Sequence, residues 1–147
     1  MNRSLTNLWL MLACASLLLG ESGCTPIGPL VSSTQFSQAA YDKDKELKNQ
    51  TLELIDRAKK GTRYKNVSND VDKLRTEIDS AIEFEQGRQK NAPTIGQWKI
   101  IKSKLVELFE LWKTKGTLSS TFVEEAKAQI SELFDSLIKT EEEKPRS

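Results

Sequence analysis

Beyond residue 35, apolar positions recur at the three-and-four spacing of amphipathic helices, in four separate stretches. The first runs from about Ser37 to Lys60. Phe36, Ala40, Leu47, Leu54 and Ala58 follow a heptad-like spacing, with Leu52 and Ile55 beside them. Its middle, YDKDKELKNQ, is highly polar, so this stripe is the thinnest of the four, and Gly61 is a natural stop. The second runs from about Asn69 to Gln89. Val67, Val71, Leu74, Ile78 and Ala81 carry its stripe, flanked by Ile82 and Phe84. Ser68 or Asn69 is the expected cap, with Asp70 and Asp72 at the positive end of the helix dipole. Asn91 to Pro93 breaks the chain.

The third stretch opens with Thr94-x-x-Gln97, a capping-box pattern, and ends at KTKG with Gly116 as its stop. Trp98, Ile101, Leu105, Leu108, Phe109 and Trp112 fall within an arc of about 100°, the clearest apolar face in the chain. The fourth starts around Ser119 to Thr121, where Thr121-x-x-Glu124 is a second box pattern. Val123, Ala126, Ile130, Leu133 and Leu137 form its stripe, widened by Phe122, Phe134 and Ile138. Residues 141–147, EEEKPRS, read as a solvated charged tail. No short alternating run bounded by turn residues competes as a strand. Short breaks favour antiparallel neighbours, so the predicted fold is all-α: an antiparallel bundle of four helices over residues 36–140. The alternative is a three-helix core of the last three, with the polar first helix as a stalk or partner-binding arm.

Residues 1–35 follow a different pattern. Met1 to Asn7 is short and polar, with one cation, Arg3. Leu8 to Gly20 is apolar apart from Ser16, and its thirteen residues fall short of the roughly 20 that span a bilayer. A cationic start, a short apolar run and small residues after it predict a secretory signal peptide over residues 1–23. The following Ser22-Gly23-Cys24 resembles the lipobox of bacterial lipoproteins, although Glu21 stands where that pattern normally has an aliphatic residue. The resemblance implies cleavage before Cys24 and a diacylglycerol on its sulfur, which would anchor the chain in a membrane. Competing readings are lipidation at Cys14, ordinary cleavage after Ser22, and a retained N-terminal anchor. Residues 24–35 carry two prolines, a glycine and a Ser/Thr cluster and read as a tether. Thr25 follows the cysteine. By the same resemblance, Asp at that position would favour inner-membrane retention, so Thr25 implies the outer membrane, facing the periplasm.

Composition narrows the chemistry. Lys and Arg number 22 against 21 Asp and Glu, so no global positive charge points to nucleic acid. There is no histidine, which removes the commonest general base and metal ligand. Both cysteines lie in the first 24 residues, so none is left to staple the body of the chain. No phosphate-binding glycine loop or nucleophile–base pair is present. No catalytic residue, cofactor or metal site is therefore expected, and paired acids such as Glu124 and Glu125 read as a charged first helical turn.

Two stretches carry a functional reading beside a structural one. Arg57, Lys59, Lys60, Arg63 and Lys65 stand within nine residues without an acid. They either complement a helix C-terminus or touch a polyanion such as lipid headgroups. The third helix, with two tryptophans and many lysines, is either the central core element or an interfacial membrane helix. The expected function is that of a lipid-anchored cell-envelope protein. Its bundle would bind an envelope protein without catalysis. The alternatives are a self-associating structural component, or a lysis or conjugation-exclusion accessory of a mobile element.

Overall fold

The computed structural model describes residues 34–146, which lie in one compact unit, Val31–Ser147. Among the described residues there are four α-helices and one 3₁₀ turn, and no strand. The helices are α1 (Gln38–Lys59), α2 (Ser68–Gln86), α3 (Ala92–Lys115) and α4 (Ser120–Glu142), and the 3₁₀ turn is Tyr64–Asn66. Each helix packs against the next, and α4 closes the ring against α1 in the most extensive contact of all. The four-helix reading holds, and α1 is a full member of the bundle rather than a free arm.

The core explains why α1 belongs. Its inward positions are Ala40, Asp44, Leu47, Thr51, Leu54 and Ala58, all buried at steps of four and three. Two of the six are polar, which is why the stripe looks thin when only apolar residues are counted. Trp98, Ile101, Leu105, Phe109 and Trp112 make α3 the central core helix, and Trp98 meets Phe134 edge-on at 5.7 Å. Burying each large apolar side chain contributes roughly 1.5–3 kcal/mol. No described helix is long and apolar enough to cross a membrane.

Several helix ends differ from expectation. Ser37 caps α1 by accepting from the Ala40 N–H at 3.3 Å. α2 takes no side-chain cap, because the 3₁₀ turn feeds straight into it through Val67, and Ser68 is already helical. α3 begins at Ala92, not Thr94, since Pro93 fits the first turn, where its missing N–H costs nothing. Thr94 is thereby buried inside the helix and caps nothing. α4 is capped by Ser119, whose hydroxyl accepts from Phe122 N–H at 3.4 Å, two residues before the Thr121 box.

The C-terminal stretch is the largest departure. Residues 141–147 do not form a solvated tail as a whole: α4 runs on to Glu142, and Glu141 and Lys144 are buried. The Pro145 carbonyl accepts from Phe36 N–H at 2.9 Å, and the Arg146 guanidinium lies 4.0 Å from the centre of the Phe36 ring. The physical reason is register, since Leu137, Glu141 and Lys144 continue the inward stripe.

Candidate functional site

The up-down topology gives the bundle two poles. The near pole gathers the start of α1, the end of α2, the start of α3 and the end of α4. The far pole gathers the opposite ends and the 3₁₀ turn.

At the near pole all four inward stripes turn polar together. α1 contributes Asp44, α2 Glu85 and Arg88, the α3 end Asn91 and Thr94, and α4 Glu141 and Lys144. Each sits three or four residues from the last apolar member of its stripe or from another polar member. Asp44 is 1% exposed and Glu141 is fully enclosed. Arg88 is the hub. Its guanidinium donates to both Glu85 oxygens at 2.9 and 2.8 Å, and to Glu141 at 3.0 and 2.7 Å. Lys144 donates to Glu141, and to the Asn91 side-chain carbonyl at 2.8 Å, while the Asn91 amide returns to Glu85. Two cations thus face two glutamates, and Asp44 is the third acid in the group.

That arithmetic decides protonation. Burial, then the Glu85 and Glu141 charges, push the Asp44 carboxyl up to about 8, against lowering by Lys144 and Arg88. With Asp44 protonated the cluster is neutral. Burial also presses on Glu141, but hydrogen bonds from Arg88, Lys144 and the Ser37 N–H outweigh it and hold its carboxyl below the ordinary glutamate value. Desolvation opposes the charge on Arg88 too, and the bonds to Glu141 and Glu85 overcome it and raise its pKa.

The same cluster grips the incoming chain. The Arg88 guanidinium donates to the Gln35 carbonyl at 2.6 Å, and Ser37 N–H donates to Glu141 at 2.7 Å. The Thr34 hydroxyl donates to the Gln89 carbonyl. Thr34 and Gln35, expected as the last residues of a loose tether, are therefore fastened to the ends of α2 and α4.

The far pole has the opposite character. From Arg57 to Asp70 and from Trp112 to Glu124 the sequence has seven cations and two acids, against seven and eight in the stretches that meet at the near pole (34–46, 83–94 and 139–146). Of the expected basic group, Arg57 pairs with Asp70 at 2.7 Å and Lys59 with Glu124 at 2.6 Å. The hydrogen bond that Lys59 donates to Glu124 raises the Lys59 pKa above the usual lysine value. Lys60, Arg63 and Lys65 are exposed and enter no salt bridge among the described residues. The Trp112 indole donates to the Thr62 carbonyl at 3.0 Å, and Tyr64 N–H to the Gly116 carbonyl at 2.9 Å, with the two rings edge-on at 5.9 Å. These contacts set the α1–α2 connection against the end of α3 and bring Lys113 and Lys115 to the same pole. Neither entered the expected group, because they lie some fifty residues away in sequence.

The predicted lipid site Cys24, the signal peptide 1–23 and residues 24–33 of the tether lie outside the described residues. No known family, curated protein or solved structure matches this chain.

Proposed function

We propose that this chain is a bacterial envelope lipoprotein, anchored through Cys24, whose helical bundle binds another envelope protein without catalysis. It would sit on the outer membrane and face the periplasm. The observation that carries this reading is the fastening of residues 34–37 at the near pole, just after the Pro/Gly/Ser stretch that follows Cys24. A tether that ends in the first turn of one helix would pull on that turn alone. Here Thr34, Gln35, Phe36 and Ser37 bond to groups on Gln89, Arg88, Pro145 and Glu141. A pull on the chain is thereby shared by the ends of α2 and α4 as well as α1. Such a junction suits a domain held at a surface.

The partner-binding surface in this reading is the outside of the bundle. Phe84 on α2 and Ile100 on α3 are the most exposed large apolar side chains among the described residues. Self-association through the heptad faces is less well supported, because those faces meet one another inside a single chain. Radiolabelled palmitate tests the anchor. Label should enter the wild-type protein and be lost in Cys24→Ser, and an unlabelled wild type would end the reading.

A further inference from the structure

We infer that the far pole is a docking surface for an anionic lipid bilayer, separate from any attachment at Cys24. Five exposed cations converge there: Lys60, Arg63 and Lys65 from the α1–α2 connection, Lys113 and Lys115 from the last turn of α3. None of them enters a salt bridge among the described residues, whereas the two acids of the pole are taken by Arg57 and Lys59. Unpaired charge of one sign, gathered at one end of a nearly neutral molecule, selects a partner of the opposite sign.

The shape and the neighbours of the patch choose the kind of polyanion. The cations stand across the blunt end of a bundle and do not line a groove, which suits a plane of charges better than a strand. Their stems are long enough to lay apolar carbons along a surface while the heads reach phosphates. Beside them, in the first turn of α4, Phe122 is 38% exposed, and half-buried Leu111 and Leu118 adjoin the same pole. Phe122 and Leu111 line one open groove between α3 and α4, together with Lys104, Glu107 and Glu125. An exposed aromatic side chain at the same pole as unpaired lysines is the pairing that binds the headgroup–acyl boundary, with the ring entering and the cations staying at the phosphates. A nucleic acid or an acidic protein would use the charges but not the exposed ring in this way.

The fragment Val31–Ser147 tests this without Cys24, and it contains every residue of the core. It should co-sediment with phosphatidylcholine vesicles that contain phosphatidylglycerol, and not with phosphatidylcholine alone, with binding falling as salt rises. Each engaged cation should strengthen binding about fivefold. Replacing Lys60, Arg63, Lys65, Lys113 and Lys115 by Gln should therefore weaken it by about a hundredfold or more. Replacing Lys45, Lys73, Lys99, Lys102 and Lys139 by Gln changes the net charge equally and should leave most of the binding. Phe122→Ser should weaken binding while its salt dependence stays the same. Each variant is first shown to melt like the parent. Absence of vesicle binding, equal losses in the two five-residue variants, or a preference for duplex DNA over the vesicles would overturn the proposal.

Discussion

Asp44 should control how stability depends on pH near neutrality. Its pKa is about 8 in the fold, against an ordinary 3.8. The folded state therefore holds a proton that the unfolded chain releases between those values, so stability falls as pH rises from 3.8 through 8. Glu141 acts in the opposite sense. Its lowered pKa gives stability that is present above 4.5 and lost as pH falls through the folded value. The two opposing slopes balance between 3.8 and 4.5, which places maximum stability at about pH 4. Asp44→Asn keeps the shape and removes the titration. Urea unfolding at pH 9 should show the variant more stable by on the order of 3–5 kcal/mol, with the difference shrinking as pH falls and gone below 3.8. Equal stability of the two proteins at pH 9 would contradict the buried placement of this carboxyl. Arg88 predicts the reverse effect. Arg88→Met strands Glu85 and Glu141 in the interior and should cost about 3–5 kcal/mol in thermal unfolding. Replacing Glu85 and Glu141 by Leu and Lys144 by Met as well should recover part of the loss, because an apolar set needs no counter-ion. Thr51 is buried in α1 with its hydroxyl unpartnered among the described residues. Thr51→Val should therefore gain about 1 kcal/mol in the same assay.

At the scale of elements, the helices depend on how their ends are stopped. Gly116 has φ of 74° between α3 and α4, a region that costs any side chain strain. Its carbonyl also accepts from Tyr64 N–H, so the turn helps place the α1–α2 connection. Gly116→Ala should lower stability by about 1 kcal/mol, read as a shift in the urea midpoint with an unchanged slope. Gly116 was legible as a stop because a positive φ and a run of lysines before it leave a clear mark. The helices were legible for a similar reason: a period of 3.6 in apolar residues is hard to produce otherwise. The near-pole cluster was not legible, because charged residues at inward positions break the pattern that reveals an inward face. Extending each stripe by its own step would have found it. Leu137 leads to Glu141 and Lys144, Ala81 to Glu85 and Arg88, and Trp98 leads back to Thr94 and Asn91. The same omission made residues 141–147 read as a tail. Within the expected basic group, Arg57 and Lys59 have partners across the bundle that only the packing of α1 on α2 and α4 supplies.

At the scale of the whole molecule, the bundle separates two kinds of electrostatics along its axis. α1, at 22 residues, is about 33 Å long, so the poles stand several Debye lengths apart at physiological salt. The near pole gathers five of its charged residues, Asp44, Glu85, Arg88, Glu141 and Lys144, in a largely buried ionic cluster that fastens the incoming chain. The far pole leaves five cations in water. The proposed reading, a protein held at one end that makes contact elsewhere, depends first on the chain being attached where the sequence pattern places the attachment. The intact mass of the protein extracted from bacterial membranes measures this directly. The account predicts a chain that begins at Cys24 and carries the added mass of a diacylglycerol. A chain that begins at Gly23 with no added mass, or one that retains Met1 to Gly23, would contradict it.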